Sequence, residues 1–150
     1  MLYLGADHRG FLLKEEIKKH LSEKNIPFQD LGNTKLEPLD DFVDFAALVA
    51  QKVQEKDESL GILVCGSGIG VSIAANKFKG IRAGMATSKE MVYFGRVHDN
   101  INILALPANY LNFDQAKELI EEFLNTSFSS DEKYSRRIKK INQIEEQWSK

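Results

Sequence analysis

The sequence has 150 residues, of which 43% are apolar and 28% are charged, and its net charge is −2. This length suits a single domain with a buried core over residues 1–150, and the slightly acidic balance argues against a nucleic-acid partner or an anionic membrane surface. No apolar run is long enough for a signal peptide or a membrane span, and the single cysteine forms no internal disulfide, so we expect a cytoplasmic protein without a membrane partner.

Short apolar runs alternate along the chain with longer amphipathic segments. The apolar runs predict five strands, at Leu2–Gly5, Phe28–Leu31, Leu60–Cys65, Ile81–Ala86 and Ile101–Leu106. The amphipathic segments predict helices at about Phe11–Lys24, Phe42–Lys56, Ile69–Lys77, Lys89–Val97, Phe113–Asn125 and Asp131–Trp148. Because several strands are apolar on both faces and alternate with helices, the pattern predicts an α/β protein with a parallel sheet, a three-layer α/β/α sandwich.

Polar residues follow the first, third and fifth predicted strands. Asp7 and His8 follow the first, a glycine loop follows Cys65, and the segment Leu106–Asn109 closes the fifth. Open α/β sheets bind ligands at the carboxyl ends of their strands, so we expect these loops to meet at that edge of the sheet. His20 lies within the charged first helix, and we expect its side chain to be exposed.

The segment GILVCGSGIGVSIAAN, residues 61–76, carries the most specific pattern in the chain. Gly66, Gly68 and Gly70 follow Cys65 and precede a helical pattern, which lets backbone N–H groups surround a small anion. Val71 stands where a dinucleotide fingerprint needs glycine and where a cysteine phosphatase needs arginine, and no Gly-Lys-Ser/Thr follows as a P-loop requires. The loop therefore predicts a small-anion site, with a tight turn whose glycines serve packing alone as the alternative.

The cysteine and two histidines are candidate reactive groups. Cys65, at the end of a strand and beside these N–H groups, is a candidate base or nucleophile, and an inert buried cysteine is the alternative. His8 and His98 each lie beside an aspartate in a polar segment, which is typical of acid–base groups. These residues lack the spacing of metal ligands, so the sequence indicates no metal site.

The last predicted helix combines a narrow apolar stripe with a basic cluster. The stripe is typical of a helix that docks on another surface, and we expect it to extend to a partner subunit; it consists of Tyr134, Ile138, Ile141, Ile144 or Glu145, and Trp148. Arginine can bind phosphate oxygens through two N–H groups at once, so the cluster is a candidate phosphate site, with a solvated helix face as the alternative. It contains Lys133, Arg136, Arg137, Lys139 and Lys140.

Four stretches occur in order along nearly the whole chain: GADHRGF at 5–11, CGSGIGVSIAANKFKGIRA at 65–83, RVHDNIN at 96–102, and the basic final helix. Together they resemble the type B ribose-5-phosphate isomerases, a family that includes the galactose-6-phosphate and allose-6-phosphate isomerases. The resemblance implies a Rossmann-like fold and a homodimer or dimer of dimers whose active sites are completed by the neighbouring subunit. It also implies aldose–ketose isomerisation of a small-molecule sugar phosphate without metal or cofactor.

The resemblance also implies catalytic roles. Cys65 matches the base that removes a proton on the way to an enediolate, and backbone N–H groups between Gly66 and Gly70 would hold the developing negative oxygen. Ser67 matches a hydroxyl that contacts the reacting oxygens. His98, assisted by Asp7, matches the group that opens the furanose ring.

The positions expected at the sugar and its phosphate are less regular. The resemblance implies that His8 binds phosphate together with Lys133, Arg136 and Arg137. Four positions depart from the family's usual residues, with Phe42 in place of tyrosine, Asp99 in place of asparagine, and Asn109 and Lys133 in place of arginine. The leading hypothesis is interconversion of ribose 5-phosphate and ribulose 5-phosphate, and isomerisation of a six-carbon sugar phosphate is the alternative within the class. A catalytically silent module that binds a sugar phosphate or nucleotide is the alternative from another class.

Overall fold

The computed structural model describes residues 1–148 and confirms the predicted alternation of strands and helices. The strands are β1 (Leu2–Ala6), β2 (Phe28–Asp30), β3 (Leu60–Cys65), β4 (Ala83–Met85) and β5 (Ile103–Pro107). The helices are α1 (Phe11–Glu23), α2 (Phe42–Gln54), α3 (Ile69–Ala75), α4 (Lys89–Asp99), α5 (Phe113–Asn125) and α6 (Glu132–Trp148). The bounds of β3 and α5 are those predicted, and the other elements differ at their ends by one or two residues.

All strand pairs are parallel, and the strand order is β2-β1-β3-β5-β4. The register aligns Ala6 of β1 with Val64 of β3, and Cys65 of β3 with Pro107 of β5. The three central strands therefore end side by side. This confirms that the loops after the first, third and fifth strands meet at the carboxyl edge of the sheet.

Helices cover both faces of the sheet, as predicted. Consecutive residues of β3 alternate between two cores: Ile62 and Val64 pack under α1, α4 and α5, whereas Leu63 and Cys65 pack under α2 and α3. A strand that is apolar on both faces can fill two cores in this way only when helices cover both sides. Cys65 thus belongs to the core on the α2 and α3 side while it ends its strand.

The boundary between α3 and β4 differs from the prediction for a local reason. The side chain of Asn76 donates to the Ala83 carbonyl at 2.9 Å and accepts from the Ala83 N–H at 2.8 Å. It therefore acts as a strand-like partner at the start of β4, so the helix ends before Asn76 and the strand starts later than expected. Gly80, at φ 75°, turns the chain between them.

The prediction that His20 is exposed is wrong, since this residue is only 7% exposed. His20 follows Ile17 by one helical turn, so both residues lie on the buried face of α1. Its ring meets Phe113 edge-on at 6.1 Å between centroids, and Nε2 lies 3.4 Å from Glu121 Oε1. The position of His20 on the buried face of the helix decides its burial, although the surrounding sequence is highly charged.

Helix α6 packs only partly on its own chain. The Tyr134 ring stacks on His98 at 4.3 Å between centroids, and the Glu145 carboxylate accepts from the Gly80 N–H at 2.9 Å. Farther along the predicted stripe, Ile144 and Trp148 remain 60% and 75% exposed. Contact of this stripe with a partner stays a prediction. Within residues 1–148, none of the helices has both the length and the apolar character that a membrane span requires.

Candidate active site

The Cys65 thiol is held by the backbone of the glycine loop. Cys65 is 4% exposed, and its Sγ accepts a hydrogen bond from the Gly68 N–H at 3.1 Å. Gly68 has φ 73°, and a Cβ added there would lie 2.8 Å from Met85 Cγ and 3.3 Å from the Pro107 nitrogen. Both the backbone conformation and the available space require glycine, so the turn fixes one N–H group on the sulfur.

The end of the glycine loop lies close to Phe42, the first residue of α2. A Cβ added to Gly70 would lie 2.9 Å from Cε2 and Cζ of the Phe42 ring. The Ser67 hydroxyl accepts from the Ile69 N–H at 3.3 Å. The departure from the family pattern at Phe42 therefore lies directly against the loop that follows the thiol.

The loop after β5 is bonded to the same segment. The Ala108 N–H donates to the Cys65 carbonyl at 2.9 Å, and the Asn109 N–H donates to the Gly66 carbonyl at 3.0 Å. A Cβ added to Gly66 would lie 3.1 Å from Asn109 Nδ2 and 2.8 Å from Arg9 Cδ. The side chains of Asn109 and Arg9 therefore both lie over Gly66, and Arg9 is a residue that the sequence analysis missed.

Asp7 shapes the turn that follows β1. Its Oδ1 accepts from the N–H groups of Arg9 at 3.0 Å and Gly10 at 2.9 Å, and its own N–H donates to the Val64 carbonyl at 3.3 Å. A Cβ on Gly10 would lie only 2.3 Å from the Val64 oxygen, so the turn is pressed against β3. These contacts place Asp7 and His8 beside the Cys65 loop, as predicted.

His8 has a carboxylate partner that the sequence analysis also missed. Oδ1 of Asp40 lies 3.0 Å from the His8 backbone nitrogen and 2.7 Å from its Nδ1. The Asn33 amide donates to the other oxygen, Oδ2. Both residues lie in the loop after β2, which leaves the sheet at the carboxyl edge. That placement is the one sequence feature that points to Asp40 before the structure is seen.

A buried lysine binds the loop that follows β2. Lys14 is 0% exposed, and its Nζ donates to Asp30 Oδ2 at 2.6 Å and to the Asn33 carbonyl at 2.9 Å. Burial acts to raise the pKa of Asp30, but hydrogen bonds from Lys14, Lys18 and the Gly32 N–H together hold that pKa below its ordinary value. Asp30 is therefore a stable anionic partner for the lysine at neutral pH.

The other predicted site residues lie at the opposite end of the sheet within one chain. Helix α4 runs from the carboxyl end of β4 to the amino end of β5, and His98 and Asp99 occupy its last turn. Tyr134 of α6 stacks on His98, and Lys133 Nζ and Arg137 Cζ lie 4.7 Å and 5.7 Å from the Tyr134 ring centroid. Arg136, also on α6, pairs with Glu132 at 2.9 Å. A single chain does not bring these residues to Cys65 or Asp7.

The fold and this edge of the sheet define a class: an open parallel α/β protein with a thiol and a histidine–carboxylate pair where such sheets bind ligands. Within residues 1–148 there is no group of three His, Cys, Asp or Glu side chains that could hold a metal ion. The chain belongs to the ribose/galactose isomerase family, whose sequence model matches residues 2–141.

Relatives of known name support the same assignment. The chain is 40% identical over 140 residues to a probable ribose-5-phosphate isomerase B of Mycoplasma pneumoniae, covering 93% of this chain and 91% of the relative. It is 35% identical over 142 residues to the ribose-5-phosphate isomerase B of Escherichia coli, covering 95% and 94%. These matches confirm the family inferred from the sequence motifs.

Solved structures of relatives confirm the fold. Ribose-5-phosphate isomerase B of Mycoplasma genitalium, solved with bound ribulose-5-phosphate, is 38% identical and superposes with a TM-score of 0.92 over 97% of this chain and 95% of that one. The isomerase B of Clostridium thermocellum is 37% identical, with a TM-score of 0.92 over 99% of both chains. The predicted Rossmann-like α/β/α architecture is therefore correct.

Proposed function

We propose that this protein is an aldose–ketose isomerase that interconverts ribose 5-phosphate and ribulose 5-phosphate. The observation that carries the proposal is the Cys65 thiol, bonded by the Gly68 N–H at 3.1 Å at the carboxyl edge of the sheet. The same fold binds ribulose-5-phosphate in the Mycoplasma genitalium relative. The thiol, the loop and the family thus support one reaction.

The chemistry is a proton transfer between adjacent carbons. In the aldose-to-ketose direction, the Cys65 thiolate removes the proton from C2, and the C–H electrons form the C1–C2 double bond of an enediolate. The carbonyl π electrons move onto O1 in the same step. After a proton passes from O2 to O1, the Cys65 thiol returns its proton to C1, which gives the ketose and regenerates the thiolate. Backbone N–H groups of the loop would stabilise the developing negative oxygen, and losing one such donor typically costs about 3 kcal/mol of barrier. Ser67, beside them, is the proposed contact to the reacting oxygens.

We further propose a homodimer in which two subunits share each site. His98 and the basic start of α6 lie at the far end of the sheet from Cys65 within one chain, so one subunit alone does not assemble the proposed set. Ile69 and Ile73 of α3, next to the thiol loop, are 52% and 58% exposed. An apolar surface beside the site favours a subunit contact there, which would bring the second subunit's groups to the thiol.

The proposed division of roles follows from this arrangement. His8 would contact the phosphate from the subunit that supplies Cys65, while Lys133, Arg136 and Arg137 would reach it from the other. His98 would open the sugar ring from the other subunit, with Asp7 as its assistant across the interface. Asp99 and Asn109 would line the sugar and phosphate positions.

Turnover assays test the reaction. We expect the purified protein to isomerise ribose 5-phosphate faster than allose 6-phosphate or galactose 6-phosphate, and Cys65→Ser to lose most of kcat while substrate affinity is kept. A preference for a six-carbon substrate would show that the protein is instead an isomerase of six-carbon sugar phosphates, the alternative within the same family. Failure on all three sugars, or full activity in Cys65→Ser, would refute the proposed function and favour a non-catalytic binding module.

Mixed dimers test the shared site. Neither Cys65→Ala nor His98→Asn alone should be active. A dimer that contains one copy of each has one site with both wild-type residues if the histidine acts across the interface, so a statistical mixture should recover about a quarter of wild-type activity. If His98 acts within its own chain, no mixture recovers activity.

A further inference from the structure

The structure assigns a positioning role to Asp40: this carboxylate fixes the His8 imidazole so that Nε2 faces the substrate's phosphate. The inference rests on the proposed function, because it concerns how His8 meets its ligand. It starts from a buried contact that neither the motifs nor the family resemblance indicated. The Asp40 side chain is only 6% exposed, whereas that of His8 is 33% exposed.

Two bonds to one oxygen define the orientation of the ring. Oδ1 of Asp40 accepts from the His8 backbone N–H at 3.0 Å and lies 2.7 Å from Nδ1 of the same residue. A ring tied to the same atom as its own backbone cannot rotate freely about its side-chain bonds. With the Nδ1–H donating to the carboxylate, Nε2 is the ring atom left for a ligand, and within residues 1–148 it has no hydrogen-bond partner.

Asp40 is itself held by contacts that lead to a buried lysine. Asn33 donates to its Oδ2, and the Asn33 carbonyl accepts from Lys14 Nζ at 2.9 Å. Lys14 is 0% exposed and is bonded to Asp30 at the end of β2. The adjacent Leu39, by contrast, is 92% exposed. The orientation of His8 is therefore set from the sheet through Lys14, Asn33 and Asp40, although the loop carries an exposed tip.

Such a chain of contacts increases the affinity for the substrate's phosphate because it restricts rotation of the His8 side chain before the phosphate binds. A histidine that is ordered in advance loses less side-chain entropy when the phosphate binds. Since the phosphate does not react, its contacts act on the ground state and the transition state alike. Loss of Asp40 should therefore raise KM and leave kcat nearly unchanged.

A double-mutant cycle tests the inference. We expect Asp40→Ala to raise KM for ribose 5-phosphate by about tenfold, Asp40→Asn to raise it less because it keeps the shape and an acceptor, and His8→Asn to raise it at least as much as Asp40→Ala. The double variant Asp40→Ala with His8→Asn should be no worse than His8→Asn alone. Asp44→Ala, at an exposed position in the first turn of α2, is the matched control and should change neither constant.

Nitrogen-15 NMR of the His8 ring, with inorganic phosphate as the titrant, gives a readout that needs no turnover. In the wild type and in Asp44→Ala, the ring should show one tautomer with Nδ1 protonated, and phosphate should shift the Nε2 resonance. Asp40→Ala should lose the single tautomer and bind phosphate more weakly.

Full additivity of the two KM effects, or an unchanged tautomer in Asp40→Ala, overturns the role of Asp40. Absence of isomerase activity in the wild type would instead overturn the proposed function, and the NMR result would still decide the inference. If Asp40→Ala does not fold, the cycle and the NMR comparison are carried out with Asp40→Asn.

A separate observation concerns Arg9, and from it we propose that the Arg9 guanidinium binds a phosphate oxygen of the substrate beside the Asn109 amide. A Cβ added to Gly66 would lie 3.5 Å from Arg9 Nη1 and 3.1 Å from Asn109 Nδ2, so N–H donors of both side chains lie next to the same glycine. The ion pairs within residues 1–148 do not include Arg9. An arginine without a carboxylate partner at the ligand edge is free to direct its planar guanidinium at two oxygens of a phosphate.

Arg9→Met tests this contact because it keeps the aliphatic stem over Gly66 and removes the charge. We expect the inhibition constant of inorganic phosphate and KM for ribose 5-phosphate both to rise about tenfold, with partial recovery in Arg9→Lys. Lys19→Met, which removes one charge at an exposed position of α1, should have no effect. Unchanged phosphate inhibition in Arg9→Met would show that Arg9 only covers the glycine. If the wild type shows no turnover, the binding of inorganic phosphate to the wild type and to Arg9→Met decides the role of Arg9.

Discussion

Replacing Gly68 by alanine should separate the cost of backbone strain from the cost of disturbing the thiol, because Gly80 offers a matched control. Both glycines are left-handed, with φ 73° at Gly68 and φ 75° at Gly80. A Cβ at Gly80 would have no heavy atom within 4 Å, whereas a Cβ at Gly68 would lie 2.8 Å from Met85 Cγ and 3.3 Å from the Pro107 nitrogen. Only Gly68 also donates its N–H to the Cys65 sulfur.

The two substitutions therefore differ by a calculable amount. A residue with a Cβ in the left-handed region costs about 1–2 kcal/mol, and Gly80→Ala should lose this much free energy of unfolding. Gly68→Ala should lose the same strain energy and about 1–3 kcal/mol more, since overpacking costs this much where a neighbour must move. The Met85 side chain can shift, but the Pro107 backbone belongs to β5, so the loop itself has to move.

Urea unfolding measures the free energy of unfolding of each variant, and steady-state kinetics measure its kcat. Both are carried out well below the melting temperatures of the two variants. We expect Gly80→Ala to keep wild-type kcat, and Gly68→Ala to lose about tenfold or more, because a shift of the N–H by a fraction of an ångström disturbs the position of the base. If Gly68→Ala retains full kcat while its unfolding free energy falls as expected, the loop does not position the thiol.

Two further predictions concern Lys14 and Gly70. Lys14→Met should lower the free energy of unfolding by about 2–3 kcal/mol at pH 7, because two hydrogen bonds of a buried ammonium are lost while Lys18 still pairs with Asp30; chemical denaturation at fixed protein concentration measures the loss. Folding lowers the pKa of Asp30, so the stabilisation from its ionised form is complete above the ordinary value of 3.8 and is lost as pH falls through the lower folded value. The difference in stability between the wild type and Lys14→Met should therefore begin to shrink below pH 3.8 and become smallest only below the folded pKa. A difference that stays constant over this range would contradict the assignment. Gly70→Ala should displace the Phe42 ring, which lies 2.9 Å from the added Cβ. Its rise in KM, expressed as a binding free energy, should exceed its loss in the free energy of unfolding. Equal KM values for Gly70→Ala and the wild type would show that this ring does not border the substrate.

The parts of the site that depend on residues close together in the chain are predictable from the sequence. Cys65 and the glycines after it form one local turn, and the alternation of strands with helices follows from short-range hydrophobic periods. The burial of His20 depends on the helix face and was predicted wrongly, and the contact of Asp40 with His8, 32 residues away in the chain, was not predicted. Contacts between loops from different strands depend on register and loop geometry, which no period in the sequence encodes.

The two halves of the proposed site differ in how firmly one chain holds them. The half that would remove the proton is fixed to the sheet: Gly68 bonds the thiol, Asp7 closes its turn on β3, and Asp40 is held through a fully buried lysine. The half that carries His98 rests on a stack with Tyr134, and both rings are only partly buried. A base that abstracts a proton has to be placed to within a fraction of an ångström, which is consistent with a proposed base whose position is already fixed within one chain. The histidine proposed to open the ring and the basic residues of α6 proposed to bind phosphate lie on the surface of α4 and α6, where contact with a second subunit would determine their final position.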